Sequence, residues 1–123
     1  MKILVVDDLS YNRRTLRSIF LHAGYDVATA EDGVTALELA RTEPPDLIVT
    51  DILMPRLDGF QLCRTVRTDP ELQHIPVVFY TGSYVDSADR ELGLSIGAVA
   101  YLTKPLEPRE LTEAVAKVLK QPA

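Results

Sequence analysis

Short runs of uninterrupted apolar residues alternate along this chain with longer stretches in which apolar residues recur every three or four positions. Ile3-Leu4-Val5-Val6 ends on Asp7-Asp8, Leu47-Ile48-Val49-Thr50 ends on Asp51, and Val77-Val78-Phe79-Tyr80 ends on Thr81-Gly82. Each run is short, rich in β-branched or aromatic residues and apolar throughout. That is the pattern of a strand covered on both faces, as in a parallel sheet. Asp26–Ala30 and Val99–Leu102 are weaker strand candidates of similar length.

The intervening stretches carry a helical period. Asn12–Ala23 sets Leu16, Ile19, Phe20 and Ala23 on one stripe, with Gly24 as a stop. Val34–Thr42 directs Val34, Leu37 and either Leu39 or Ala40 inward, and Pro44-Pro45 ends it. Phe60–Thr68 offers Phe60, Cys63 and either Val66 or Arg67. Ser87–Ile96 offers Leu92, Leu94 and Ile96, followed by Gly97. Pro108–Leu119 offers Leu111, Ala114, Val115, Val118 and Leu119, with Pro108 where a missing N–H costs nothing. Strand and helix thus alternate five times. This predicts an α/β fold, a three-layer α/β/α sandwich around a five-stranded parallel sheet, with few topologies open to right-handed crossovers.

Length and charge narrow the picture. The 123 residues fit one domain, and 46% hydrophobic residues supply a core that must be mainly aliphatic, because tryptophan is absent. The net charge of −5 argues against direct nucleic-acid binding, which needs clustered Lys and Arg. No apolar run approaches the ~20 residues of a membrane span, and the N-terminus runs straight into acids, unlike a signal peptide. The single cysteine, Cys63, allows no disulfide framework and lies on a helical apolar stripe, as inert core would. These features point to the cytoplasm. His22 and His74 stand in unrelated contexts and are read as solvated or capping residues.

Acidic or polar residues stand just beyond four strand ends: Asp7 and Asp8, Asp51, Thr81, and Lys104. Parallel sheets bind ligands outside these ends, where strand order changes direction. Neighbouring strands lie ~5 Å apart, so such residues can converge. Two carboxylates ~5 Å apart repel by roughly 3 kcal/mol at an effective dielectric of ~20. Three together call for a cation, and Lys104 supplies only one positive charge. With hard oxygen donors and no nearby His or Cys, Mg²⁺ suits the remainder. A carboxylate can attack phosphorus and form an acyl phosphate. Thr81 and Lys104 would then bind the equatorial oxygens, where charge spreads.

Four stretches carry a resemblance. Val5-Val6-Asp7-Asp8, Asp51 to Gly59, Tyr80-Thr81-Gly82 and Tyr101-Leu102-Thr103-Lys104-Pro105 resemble, in order and spacing, the signature segments of response-regulator receiver domains of two-component signalling systems. The similarity covers essentially the whole chain, with a receiver domain over residues 1–120 and a tail over 121–123. It implies CheY-like (flavodoxin-like) strand order 2-1-3-4-5. It implies Asp51 as phosphoacceptor, Asp8 and Asp7 as acidic Mg²⁺ ligands with Asp51, and the Leu53 backbone carbonyl as a further ligand. It implies that Thr81 and Lys104 contact the phosphoryl group, that Tyr101 turns inward when Thr81 moves, and that Lys104–Pro105 is a cis peptide. The implied role is a switch that catalyses its own phosphorylation and dephosphorylation, not an enzyme acting on other molecules. The implied partners are a histidine kinase or histidine phosphotransfer protein and a downstream effector. The face of the fourth helix, fifth strand and fifth helix is a candidate homodimer surface, with the oligomeric state left open.

Two departures stand out. Leu53 and Ser83 occupy the positions, two residues after the acceptor and two after the threonine, that tune phosphoryl lifetime in the family. Leu53 cannot hydrogen-bond an attacking water, so slow self-dephosphorylation is expected. Ala98-Val99-Ala100 replaces residues that are often acidic or polar, and forms an apolar partner patch if Val99 is exposed beside Leu94 or Ile96. Three rival readings fit less well. An aspartyl-phosphate phosphatase would need an acid where Leu53 stands. A flavin carrier would need a Ser/Thr-rich loop where Asp7-Asp8-Leu9-Ser10 stands. A receiver that binds partners without phosphorylation would not need the complete acidic and basic set.

Overall fold

A computed structural model describes residues 1–84 and 86–120. The expected tail, 121–123, lies outside the described residues. Ten elements alternate: β1 (Lys2–Val6), α1 (Ser10–His22), β2 (Asp26–Ala30), α2 (Gly33–Thr42), β3 (Leu47–Thr50), α3 (Gly59–Thr68), β4 (Val77–Thr81), α4 (Ser87–Ile96), β5 (Ala100–Thr103) and α5 (Pro108–Leu119). The strands form one parallel sheet in the order β2-β1-β3-β4-β5. The expected α/β fold and strand order are therefore observed.

Alternation along each strand builds two cores. Leu4 and Val6 of β1, Ile48 of β3, Val77 and Phe79 of β4 and Tyr101 of β5 join Ala36, Ala40, Leu62, Cys63 and Val66 on one face. Ile3 and Val5, Leu47 and Val49, and Val78 and Tyr80 join Leu16, Phe20, Leu111 and Val115 on the other. Thus α2 and α3 cover one face, and α1 and α5 cover its opposite. Burial on both faces explains why β1, β3 and β4 read as unbroken apolar runs. Cys63 is fully buried, and burial pushes its thiol up to about 11.

Several helix faces differ from expectation. In α4, Leu92 and Leu94 are exposed and Gly93 is the buried residue. The reason is lateral: a Cβ on Gly93 would lie 2.7 Å from the Tyr101 ring. The aromatic ring already occupies the space that a leucine would fill. In α2 the buried positions are Gly33, Ala36 and Ala40, whereas Val34 is exposed. The α2 N-terminus packs too tightly on Leu57 to admit a larger residue at position 33. Ala23 is exposed too, because α1 ends at His22. β5 begins at Ala100, one residue later than expected, and Val99 is exposed.

Candidate functional site

The register brings the strand ends level. Val6 pairs with Thr50 across β1 and β3, so Asp7 and Asp51 each stand one residue beyond a paired position. The ladder continues past the pair, with Asp51 N donating to Val6 O and Asp7 N to Ala30 O. Thr81 pairs with Thr103, and Lys104 N donates to Thr81 O at 2.8 Å. The order reverses at β1 and β3, the place where open parallel sheets form their clefts.

Lys104 joins the acids. Its Nζ donates to Asp7 Oδ2 at 3.2 Å and to Asp51 Oδ2 at 3.1 Å. The same ammonium lies 5.4 Å from the centre of the Tyr80 ring. Asp7 is only 1% exposed, so its charge needs partners. It has them: Leu9 N donates to Oδ1, and Asn12 Nδ2 and Lys104 Nζ donate to Oδ2. Arg13 Nη1 donates to the Asp7 carbonyl. Asp51 Oδ1 accepts from Ile52 N at 2.6 Å, which leaves Oδ2 facing Lys104.

The titration directions follow from this crowding. Burial opposes the charged form of Lys104, but Asp7 and Asp51 outweigh it and hold the ammonium above its ordinary pKa. Asp8 is exposed at the rim. Desolvation and the Asp7 and Asp51 charges raise its carboxyl pKa, so it senses both neighbours. Among the described residues, no group of three or more His, Cys, Asp or Glu forms a ready-made metal cage.

Thr81 is buried beside this cluster, and its Oγ1 accepts from Ser83 N and Tyr84 N. Tyr101 lies inward, its ring edge-on to Phe79 and its hydroxyl donating to Tyr84 O at 2.6 Å. Burial and the Asp89 and Asp86 charges push the Tyr101 hydroxyl up to about 12. Leu53, two residues after Asp51, is 56% exposed. The Lys104–Pro105 peptide is cis. His22 and His74 are exposed and remote from these contacts in the sequence.

Sequence reasoning missed Asn12, Arg13 and the pair Asp32–Arg56. Asp32 is buried, caps α2 by accepting from Thr35 N, and takes two donors from Arg56. Its position just before a helix is an N-cap signal, but nothing local names Arg56 as its partner.

This geometry can be set beside known proteins. A family model described as the response regulator receiver domain matches residues 3–116. The chain belongs to the response-regulator receiver family. The receiver is 42% identical over 120 residues to the alkaline phosphatase synthesis transcriptional regulatory protein PhoP of Bacillus subtilis, covering 98% of this chain and 49% of that protein. It is 45% identical over 106 residues to the response regulator PleD of Caulobacter vibrioides, covering 86% of this chain and 23% of that protein. The receiver therefore spans about half or less of the length of these relatives. A crystal structure of a putative response regulator from Chloroflexus aurantiacus superposes with a TM-score of 0.91 at 34% identity, covering 98% of each chain. The chemotaxis protein CheY4 of Vibrio cholerae superposes at 0.89 and 32% identity, covering 95% of this receiver and 97% of that chain.

Proposed function

We propose that Asp51 accepts a phosphoryl group from a phosphohistidine donor and that the receiver surface changes in response. The observation that carries this reading is the shared Lys104 ammonium on Asp7 and Asp51 at the sheet's switch point. An Asp51 carboxylate oxygen attacks phosphorus, the phosphorus–nitrogen bond breaks, and the electron pair leaves with the donor imidazole. The product is an acyl phosphate on Asp51. Lys104 is already within reach of the acceptor, and its raised pKa keeps it charged when phosphoryl oxygens arrive. The Thr81 hydroxyl accepts from two backbone amides, which leaves its own proton for a phosphoryl oxygen.

The donor set fits Mg²⁺. Asp7 and Asp51 share one ammonium, and the exposed Asp8 beside them responds electrostatically to both other acids. Asp8, Asp7, Asp51 and the Leu53 carbonyl would hold the ion. Mg²⁺ keeps several waters and takes one or two carboxylates, so it needs no complete protein cage. When bound it supplies charge neutralisation for the acceptor and phosphoryl oxygens.

The response runs through Thr81, Tyr101 and the face of α4, β5 and α5, where an effector or a second copy docks. The exposed Leu92, Leu94 and Val99 suit such a face. Any output requires that a partner bind the two states with different affinity. The phosphodonor is a histidine kinase or histidine phosphotransfer protein of the cytoplasm.

The test is incubation with acetyl phosphate, with and without Mg²⁺, followed by intact-mass measurement. Wild type is expected to gain one phosphoryl mass only with Mg²⁺, and Asp51→Ala none. Equal labelling of both proteins would refute the assignment. The same preparation tests lifetime. The exposed Leu53 side chain offers attacking water no hydrogen bond, and one such bond is worth about 1 kcal/mol, or roughly fivefold in rate. Leu53→Asn is therefore expected to lose its phosphoryl mass roughly fivefold faster than wild type, with equal decay counting against the idea.

A further inference from the structure

The connection that follows the acceptor is held in a conformation its sequence would not choose. Arg56 has a φ of +67°, a left-handed value that few non-glycine residues adopt. Around it, Leu57 N donates to Pro55 O at 2.8 Å, an i to i+2 bond closing a three-residue turn of the strained hand. Something must hold this turn in place. The only ion pair of Arg56 among the described residues is with Asp32, at the start of α2. Both Arg56 Nε and Nη2 donate to Asp32 Oδ2, the former at 3.1 Å. The two partners are unlike: the Arg56 side chain is 58% exposed and that of Asp32 only 6%. The buried partner is fixed, since Asp32 also caps α2 through Thr35 N. Next to it the loop sits directly on the helix, where a Cβ at Gly33 would meet Leu57 O at 2.7 Å. The other end of the loop is tied by Gly59 N donating to Ile52 O at 2.8 Å. The segment from Asp51 to Leu57 is therefore a short span between two anchors, and Arg56 is the anchor nearest solvent.

We propose that Arg56 is a positioning residue for the acceptor loop: its clamp on Asp32 fixes the depth at which the Asp51–Leu53 segment presents its oxygens to a divalent cation. The inference rests on the proposed role of Asp51 and Leu53 as cation ligands. It adds a residue with no direct contact to the ion. Groups that orient metal ligands from behind typically change metal affinity by 10- to 100-fold when removed.

The sign of the effect separates positioning from simple charge. Arg56 is a cation on a loop adjoining an acidic site. Deleting its charge should, by Coulomb attraction alone, tighten binding of another cation. Loss of positioning does the opposite. The test is calorimetric titration of MgCl₂ into wild type, Arg56→Asn, Arg56→Lys and Asp51→Asn, well below their unfolding temperatures. Asparagine is enriched among non-glycine residues at positive φ, so Arg56→Asn removes the clamp at a small backbone cost. Mg²⁺ affinity is expected to weaken on the order of tenfold in Arg56→Asn and to lie between that and wild type in Arg56→Lys, which keeps the charge but not the two-donor fork. Unchanged or tighter binding in Arg56→Asn, with wild type binding normally, overturns the clamp and spares the site. Absence of Mg²⁺ binding in wild type, or undiminished binding in Asp51→Asn, overturns the site reading itself.

Discussion

Gly59→Ala is expected to destabilise the protein by about 3 kcal/mol and to slow phosphorylation of Asp51 by roughly two orders of magnitude. Gly59 opens α3, and its φ is not among the positive ones, so the reason is not backbone freedom. It is contact. A Cβ there would lie 2.3 Å from Asp51 O, 2.8 Å from Ile52 Cα and 3.1 Å from Asp51 C. All three are backbone atoms, so no side chain can swing aside. Either α3 retreats from Phe79, against which Phe60 packs at 5.5 Å, or the Asp51 peptide moves. The second course breaks the Gly59 N to Ile52 O bond and disturbs the Asp51 carbonyl that accepts from Thr50 Oγ1. A misplacement of about 1 Å at a reacting group can cost ~100-fold in rate. Urea unfolding reads the first effect, and the rate of mass gain from acetyl phosphate under native conditions reads the second. An alanine variant within about 0.5 kcal/mol of wild type would mean that α3 can shift freely, and the tight approach would carry no weight.

The features of the fold that were legible in the sequence are those set by burial on two faces. Leu47–Thr50 and Val77–Tyr80 could scarcely be anything but interior strands, and each was followed by its polar residue. Once strands and order were fixed, Asp7, Asp51 and Lys104 had to emerge on one edge, and side-chain geometry then joined them. What was not legible depended on residues distant in the chain. The inward face of α4 cannot be found from Leu92 and Leu94, because the ring that excludes them belongs to Tyr101 on another element. The Asp32–Arg56 pair joins two connections 24 residues apart, where no period applies. Leu53 and Tyr101 stand out by resemblance alone, whereas Thr81 also stands out by its place at a strand end. The inward setting of Tyr101 depends on Phe79 and on the Tyr84 carbonyl, both distant from it in the chain.

Lys104→Met is expected to cost about 2 kcal/mol of stability in Mg²⁺-free buffer and to recover part of that loss when Mg²⁺ is added. Methionine keeps an unbranched stem beside Gly82 and removes the charge. Asp7, at 1% exposure, then loses the cation on its Oδ2 and keeps only the Asn12 amide there. Breaking a fully buried ion pair by removing one partner costs about 3–5 kcal/mol. The Lys104 side chain is 22% exposed, so solvent screens part of the interaction and the cost falls to about 2 kcal/mol. The pH dependence has a definite sign. The folded-state pKa of Lys104 lies above its ordinary 10.5, so its contribution is complete below that value and is lost only as pH rises through the folded value. The gap between variant and wild type should hence be level from pH 7 to 9 and close only in strong alkali. Mg²⁺ replaces a missing positive charge beside the same carboxylates, which is why it should stabilise the variant more than wild type. The variant is also expected to accept some phosphoryl mass at Asp51 while leaving the surroundings of Tyr101 unresponsive, as read by tyrosine ring NMR signals with and without acetyl phosphate. A variant as stable as wild type without Mg²⁺ would show that Asp7 and Asp51 are content without the ammonium, and the electrostatic basis of the pocket would fall.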